Sequence, residues 1–246
     1  EPPRWTLDED RLRRAFSART KAIIVNTPHN PSGRVLSRDE LSLIAELCRE
    51  HDVWAFTDEI YEHIRYAGAH HPLALWPGMR ERTVTISGLS KTFSCTGWRL
   101  GYAIAPSAAT NAIRKVHDFL TVGAPAPLQA AAAVGMAFDA DYYNRMARDY
   151  HERRELITGA LSDAGFAFSV PEGAYYVLAD FSALSDAPDD EFAKWMTREI
   201  GVATVPGSSF YHDAALGRRL VRFAFCKKRA TLEEAGRRLA RLTARV

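Results

Sequence analysis

The sequence has 246 residues and a mass of 27.4 kDa, enough for one large domain or one and a half. Lysine and arginine exceed aspartate and glutamate by only two (32 against 30), and no basic run occurs, so we expect no nucleic-acid partner. The three cysteines are widely spaced and no uncharged apolar run could span a membrane, so we expect a soluble, cytoplasmic protein without disulfides, structural zinc or a membrane partner.

The first part of the chain predicts strands that alternate with a helix. After a proline-rich connector over Glu1–Asp10, the apolar run Lys21–Asn26 predicts a buried strand. Ser37 and Glu40 form a capping box ahead of apolar residues at helical spacing, which predicts a helix. Val53–Thr57 predicts the next buried strand. Strand, helix and strand at this spacing predict a βαβ unit of a parallel sheet.

A lysine-containing stretch, Ser87–Tyr102, follows a third predicted strand over Thr83–Ile86. Lys91 lies there among small and hydroxyl residues, and Arg99 follows eight residues later. A lysine at the edge of a buried strand is costly as a cation, which favours the nucleophilic amine that forms Schiff bases with aldehydes. A fixed guanidinium suits a phosphate dianion. Aldehyde and phosphate occur together in pyridoxal phosphate (PLP), although both cations could merely cap core strands.

Three polar residues lie just beyond predicted strand ends, namely Asn30, Asp58 and Lys91. Ligands of parallel sheets bind at the carboxyl ends of the strands, so we expect these side chains to converge on one crevice. Each also has a simpler interpretation. Asn30 could belong to an ordinary Asn-Pro turn, and Asp58 could cap a following helix.

The second part of the chain predicts helices and then a mixed α+β region. The alanine-rich segment Gln129–Phe138 is expected to pack inside the large domain, and Asp139–Ala164 predicts a long amphipathic helix. The remaining predicted elements are a strand over Tyr175–Phe181, a helix opened by Asp189 and closed by Gly201, a strand over Leu220–Cys226, and a last helix capped by Thr231 with Glu234.

These elements predict an α/β fold with a mostly parallel sheet sandwiched by helices, followed by a smaller C-terminal α+β domain. We place the large domain at residues 1–140 and the small domain at residues 141–246. A long helix that starts near residue 139 joins them.

Arg222 interrupts the last predicted strand. Alternation places Val221 and Phe223 on one face and Arg222 with Ala224 on the other. An arginine in such apolar company needs an anionic partner, which is either a bound substrate or a local aspartate or glutamate. The histidines at 63, 70 and 71 lie in a loop-like stretch without an evident cysteine or carboxylate cluster, so we expect no metal site.

Several of these stretches resemble the fold-type I PLP-dependent aminotransferases of class I/II. The residues around Lys91, Ser-x-x-Ser-Lys-Thr-Phe-x-x-Thr-Gly-Trp-Arg-Leu-Gly, are similar to the cofactor-lysine signature of that family. Asn-Pro-Ser-Gly from Asn30 and Asp-Glu-Ile-Tyr from Asp58 match two further family patterns. Asn26–Pro31 looks most like the kynurenine aminotransferase/glutamine transaminase K and methionine aminotransferase branch. The chain resembles the C-terminal two-thirds of such a protein without its N-terminal third, so we expect the PLP-transferase major domain to be incomplete.

The resemblance implies a role for each matched residue. Lys91 would carry PLP as an aldimine and move the α-proton of the substrate. Asp58 would keep the ring nitrogen protonated, and Tyr61 and Asn30 would bind the phenolate oxygen. Tyr61 could instead be a core tyrosine with a satisfied hydroxyl. Arg222 would bind the α-carboxylate of the substrate in a bidentate pair, and Asn30 would contact the substrate as well.

The phosphate contacts depart from the family pattern. Many relatives place a phosphate-binding serine three residues before the lysine, where this chain has Gly88. We expect Ser87 or Ser90 to substitute, together with Arg99.

The activity that the resemblance implies is the transfer of an amino group from an amino acid to a 2-oxo acid. It also implies a homodimer in which Val122–Ala124 faces the neighbour's site, and a cis peptide bond between Asn30 and Pro31. Two alternatives stay open, a PLP-dependent C–S β-lyase and a catalytically inert PLP-fold fragment or regulator. Lyases of the cystathionine type commonly have histidine where this chain has Tyr61.

Overall fold

The computed structural model describes residues 5–242, which divide into two compact units. The first unit contains Leu7–Pro28 and Val35–Asn144. The second contains His29–Arg34 and residues 5–6 and 145–242. The loop His29–Arg34 therefore belongs with the C-terminal part of the chain. Residues 1–4 of the predicted connector lie outside the described residues.

The first unit is built on a four-stranded sheet in chain order. Its strands are β1 (Ala22–Asn26), β2 (Trp54–Asp58), β3 (Thr83–Gly88) and β4 (Gly101–Ile104). The pairs β1–β2 and β2–β3 are parallel and β3–β4 is antiparallel. The predicted βαβ unit and mostly parallel sheet are confirmed. The register places Asn26 beside Asp58 and Asp58 beside Ile86, so the carboxyl ends of three strands share one edge.

The helices of this unit are α1 (Glu9–Ala15), α2 (Arg38–Glu50), α3 (Leu89–Thr92), α4 (Ser107–Leu120) and α5 (Ala126–Met136). The predicted capping box of α2 is present, because Ser37 Oγ accepts from Glu40 N at 3.2 Å and Glu40 Oε2 accepts from Ser37 N at 2.9 Å. The predicted apolar face of α2 is buried in one cluster with Val25 and Ala55 of the sheet. Helix α2 thus closes one face of this sheet.

The connector predicted over Glu1–Asp10 overlaps the start of α1, because Asp8 accepts from Arg11 N at 2.9 Å and caps that helix. One prediction for this unit was wrong. The segment Gln129–Phe138 was expected to be internal, but the only buried residue of α5 is Gly135. Alanine-rich composition is compatible with either environment, and no described element covers the outer sides of α5.

The second unit contains a four-stranded antiparallel sheet. Its strands, in spatial order, are β5 (Ala167–Phe168), β6 (Tyr176–Asp180), β8 (Leu220–Ala224) and β7 (Val205–Pro206). Its helices are α6 (Ala140–Asp163), which begins in the first unit, α7 (Asp189–Trp195) and α8 (Arg229–Leu239). Aromatic rings fill its core, and Phe181 stacks on Phe192 with centroids 4.1 Å apart. The predicted α+β character is confirmed.

One predicted helix end is confirmed and one predicted helix start was wrong. Helix α7 continues as a π-helix over Met196–Ile200, and Gly201 closes it at φ +78°, as predicted. The prediction that Thr231 caps the last helix was wrong, because α8 already begins at Arg229 after an extended Lys228. Among residues 5–242, no helix combines the length and the apolar composition needed to cross a bilayer.

Candidate active-site residues

Lys91 lies in the short helix α3 directly after β3. Side chains from later in the chain hold three carbonyl oxygens of this turn: Tyr142 Oη donates to Thr92 O at 2.7 Å, Thr96 Oγ1 to Ser90 O at 3.1 Å and Cys95 Sγ to Leu89 O at 3.3 Å. The half-buried Lys91 amine has no hydrogen-bond or ion-pair partner among the described residues. Hydrogen bonds therefore hold the backbone of this turn, whereas the Lys91 amine has no partner among the described residues.

Arg99 lies at the end of a 3₁₀ helix, Thr96–Trp98, where it adopts a left-handed φ of +54°. Its side chain is exposed, and Nη1 donates to Thr96 O at 3.1 Å. The glycine at the family's serine position has a local explanation, because a Cβ on Gly88 would lie 3.2 Å from the carbonyl oxygen of Leu100. The backbones of β3 and β4 approach closely at this point, which leaves little room for a side chain.

Asp58 is the last residue of β2, and its backbone ties that strand to β1. Its carbonyl oxygen accepts from Asn26 Nδ2 at 3.0 Å and from Thr27 N at 3.2 Å. Among the described residues its carboxylate accepts one hydrogen bond, a long one of 3.3 Å from Ile60 N. The alternative that Asp58 caps a following helix was wrong, because a turn and not a helix follows β2. Tyr61 follows in the same turn and is 3% exposed. Both side chains thus follow the carboxyl end of a parallel strand, as predicted.

A polar network that the sequence did not reveal lies in the same unit. Glu59, 2% exposed, accepts from Thr57 Oγ1 at 2.7 Å and contacts His70 Nε2. Glu62 accepts from Ser87 Oγ at 2.8 Å and from Tyr102 Oη at 3.1 Å. Burial raises the pKa of Tyr102, and the Glu62 carboxylate adds to this effect. In this network the hydroxyl of Ser87 is already used as a donor to the Glu62 carboxylate.

The statement that His70 lacks nearby carboxylates was wrong. The ligand atoms of Glu59, Glu62 and His70 lie within 4.8 Å of one another. The acidic residues occur eight to eleven positions away in the chain, and the turn after β2 brings them to the histidine. Because hydroxyl donors and the imidazole already occupy these carboxylates, we propose no metal site there.

Asn30 and Arg222 meet in the second unit. Arg222 Nη1 donates to Asn30 Oδ1 at 2.8 Å, across 192 positions of sequence. The Asn30–Pro31 peptide bond is cis, as predicted, and so is Thr27–Pro28, which was not predicted. Arg222 is half-buried on β8, opposite in direction to its buried neighbours Val221 and Phe223, which confirms the predicted alternation.

The guanidinium of Arg222 has no acidic partner among the described residues. Its Nε is buried and has no acceptor within residues 5–242. A buried donor without an acceptor costs about 1–3 kcal/mol. The predicted local salt bridge is therefore not formed within the described chain, and a donor stays available for an anion.

Gly33 explains how the Asn30 loop is placed. It adopts φ +72°, and a Cβ there would lie 2.6 Å from the Cβ of Pro171. Its carbonyl oxygen accepts from the backbone N–H groups of Glu172 and Gly173, both at 2.8 Å. The loop is thus packed against the turn that leads into β6, the strand paired with β8. Only glycine combines this backbone conformation with this close approach.

The predicted residues fall into two groups. Asp58, Tyr61, Ser87, Ser90, Lys91 and Arg99 lie in the first unit, and Asn30 and Arg222 lie in the second. The first group offers a free amine, a carboxylate, a phenol and hydroxyls, which fit an aldehyde with a ring nitrogen and a phosphate. The second offers an unsatisfied guanidinium donor, which fits a carboxylate.

Comparisons with known proteins agree with this chemistry. The family model for aminotransferase class I and II matches residues 1–239. Methionine aminotransferase of Escherichia coli (strain K12) is 36% identical over 243 residues, which cover 98% of this chain and 63% of the relative. Kynurenine–oxoglutarate transaminase 3 of Mus musculus is 39% identical over 250 residues, which cover 94% of this chain and 55% of the relative.

A solved structure gives the same result for the fold. N-succinyldiaminopimelate aminotransferase from Mycobacterium tuberculosis superposes with a TM-score of 0.92 at 39% identity, over 96% of this chain and 62% of that one. The chain thus spans about 55% to 63% of the length of these relatives. It belongs to the class I and II aminotransferases, a family of PLP-dependent enzymes.

Proposed function

We propose that the protein is a PLP-dependent aminotransferase that moves an amino group from an amino acid to a 2-oxo acid. The observation that carries this proposal beyond family membership is the Arg222–Asn30 pair, a half-buried cation that lacks an acidic partner in the described chain. A substrate carboxylate would supply the missing anion. PLP, when bound, supplies an electron sink that makes the α-proton of the amino acid acidic.

The residues of the first unit take the cofactor-directed roles in this proposal. The Lys91 amine would attach the cofactor, and once the amino group of the substrate has displaced it, the free Nζ would take the α-proton and return it. The Asp58 carboxylate would hold a proton at the ring nitrogen, and the hydroxyl of Tyr61 would bind the phenolate oxygen. Ser90 and Arg99 bind the phosphate. Ser87 is the less suitable of the two serines, because the Glu62 carboxylate beside it repels a dianion.

The donor amino acid is left open at this level. The named relatives act on methionine, kynurenine and N-succinyldiaminopimelate, and they are similar to this chain at 36%, 39% and 39% identity. Such even identity to proteins with different substrates supports the reaction class and the α-carboxylate, which these substrates share.

We also propose a homodimer in the cytoplasm. The cysteines Cys48, Cys95 and Cys226 are all free, which supports a reducing compartment. Val122 is 84% exposed, and such an exposed apolar side chain supports a contact with a second copy.

The attachment of the cofactor gives the direct test. The full-length protein is incubated with PLP, reduced with borohydride and digested, and the peptides are identified by mass spectrometry. We expect the pyridoxyl group on Lys91, none in Lys91→Ala, and unchanged labelling in Lys21→Ala, where an exposed lysine is removed as a control. Labelling of another lysine with Lys91 unmodified would refute the assignment.

The same preparation separates the alternative activities. An aminotransferase converts an added 2-oxo acid into the matching amino acid, and the amino donor is consumed in equal amount. A C–S β-lyase instead releases pyruvate from a cysteine conjugate without any 2-oxo acid. A protein that is labelled at Lys91 but does neither would be the inert fold.

A further inference from the structure

Two aromatic rings lie close to the guanidinium of Arg222. Its Cζ is 4.3 Å from the ring centroid of Tyr176 and 4.7 Å from that of Phe210. Both distances fall well inside the roughly 6 Å range of cation–π attraction. This arrangement was not evident from the sequence, since Tyr176 and Phe210 precede Arg222 by 46 and 12 positions.

Each ring is held by a different part of the second unit. Tyr176 is the first residue of β6 and pairs with Ala224 of β8, so the sheet itself sets its distance from Arg222. Phe210 is the last residue of a 3₁₀ helix, Gly207–Phe210. That short helix is not part of either sheet, and its position needs its own explanation.

Two contacts fix the 3₁₀ helix that carries Phe210. The buried carboxylate of Asp189, at the start of α7, accepts from Ser208 N at 2.7 Å. Gly207 also packs directly against Gly217, where a Cβ would lie 2.3 Å from the Gly207 carbonyl carbon. These two contacts restrict the 3₁₀ helix, so the position of Phe210 next to Arg222 is set by the packing of the second unit.

The nearby rings bear on how an anion can meet the guanidinium. All N–H donors of a guanidinium lie in its plane, so a carboxylate that forms a paired contact must approach in that plane. Asn30 takes Nη1, and Nε has no acceptor among the described residues. Cation–π attraction to the two rings can hold the guanidinium in place without using the in-plane donors that a carboxylate needs.

We propose that Phe210 and Tyr176 are positioning residues for the carboxylate of the substrate, and that they act through the orientation of Arg222. This inference rests on the proposed function, because it takes Arg222 as the carboxylate-binding group. Phe210 is the sharper test of the two, since Tyr176 also has a hydroxyl and lies within the sheet.

Three small probes separate carboxylate binding from chemistry. Alanine carries both groups, ethylamine lacks the carboxylate, and propionate lacks the amine. In the full-length PLP-loaded protein, we expect Phe210→Leu to weaken propionate binding, measured by calorimetry, about fivefold to tenfold. The KM for alanine should rise by a similar factor, whereas kcat for alanine and the rate with ethylamine should stay unchanged. Phe210→Tyr keeps the ring and should behave as the unaltered protein.

Two arginine variants distinguish a failure of the carboxylate site at Arg222 from a failure of the positioning role of Phe210. They are Arg222→Lys and its control Arg219→Lys. Arg219 directly precedes β8 but donates to the carbonyl oxygens of Ser182 and Ser185, so its variant should bind propionate normally. If Arg222→Lys weakens propionate binding and Phe210→Leu does not, the positioning role is refuted and the carboxylate site stands. If Arg222→Lys leaves propionate binding unchanged, the carboxylate site of the proposed function is itself wrong. Borohydride labelling of Lys91 in each variant shows that the protein is folded.

Discussion

At the scale of single residues, the arginines of the second unit divide by whether an acidic partner is present. Arg229, Arg237 and Arg238 are exposed and form ion pairs with glutamates along or beside α8. Such surface pairs contribute little to stability. Arg222 is half-buried and has aromatic and amide neighbours instead of a carboxylate. A cation that is partly removed from water without an anion costs free energy. An anion bound at Arg222 would offset this cost, which supports the proposed carboxylate site.

His29 gives a residue-scale prediction about pH. Burial, followed by the nearby Arg34 guanidinium, lowers the pKa of His29 below its ordinary 6.5. In the unfolded chain the imidazole takes up a proton at a higher pH than in the folded chain, so folding is favoured above pH 6.5 and loses this contribution as the pH falls through the folded pKa. We therefore expect the free energy of unfolding, measured by urea titration, to fall less steeply between about pH 7.5 and 5 in His29→Gln than in the unaltered protein.

The quantity to compare is the slope of the free energy of unfolding against pH, and not its value at one pH. His29→Gln also removes the 2.7 Å contact between Nδ1 and Ser32 Oγ, which shifts stability at every pH. His117→Gln serves as the control, because this histidine is exposed on α4, and its variant should keep the original slope. Equal slopes for His29→Gln and the unaltered protein would contradict the assignment.

At the scale of elements, regular periodicity is what made the fold predictable. Helix α2 was predicted with its cap because Ser37, Glu40 and the apolar positions agree with one another. Strands β1, β2, β3, β6 and β8 were predicted from short apolar runs that alternate with turn residues, whereas β4, β5 and β7 were not predicted. The cap of α8 was wrong because Thr231 with Glu234 matches a capping pattern, while the actual start at Arg229 has no side-chain cap to indicate it.

Residues of the candidate site could be predicted only where a short local sequence motif identifies them. Lys91, Asp58 and Asn30 could be picked out because each follows a strand directly. Phe210 and Glu62 could not, because their contacts depend on how distant segments pack. The cis bond at Asn30–Pro31 was predicted from family resemblance, since proline alone permits either isomer.

The turn that carries Lys91 gives an element-scale prediction. Tyr142, near the start of α6, donates its hydroxyl to Thr92 O at 2.7 Å and stacks on Phe93 with centroids 5.6 Å apart. Tyr142→Phe keeps the ring and removes the hydrogen bond. We expect the free energy of unfolding to fall by about 1 kcal/mol and borohydride-trapped PLP to accumulate more slowly on Lys91.

Tyr143→Phe is the matched control for this change. Its ring lies 4.5 Å from that of His63, and its hydroxyl has no hydrogen bond among the described residues. Both stability and labelling rate should be unaltered in that variant. If the two variants behave alike, the Tyr142 hydroxyl does not hold the lysine turn.

At the scale of the whole molecule, the first unit exposes more apolar surface than a monomer of this size needs. Phe119 is 93% exposed, Val122 84% and Ile24 80%. Helix α4 has no buried residue, although its sequence is amphipathic. Apolar side chains concentrated in this way mark surfaces that contact other protein. The relatives are longer than this chain, so both further residues of a full-length protein and a second copy are available to cover them.

We expect the part of this surface around Val122 to contact a second copy of the chain. Val122 has φ +65° and lies between α4 and α5, and its side chain is almost fully exposed. In an apolar dimer interface an aspartate at this position would be buried without a partner, which costs enough to dissociate a moderate dimer. We expect full-length Val122→Asp to sediment as a monomer at concentrations where the unaltered protein sediments as a dimer. Leu216→Asp is the control, because this leucine of the second unit is also exposed, at 65%, and its variant should stay dimeric. A dimer that persists in Val122→Asp, or an unaltered protein that is monomeric while active, would place the interface elsewhere or remove it.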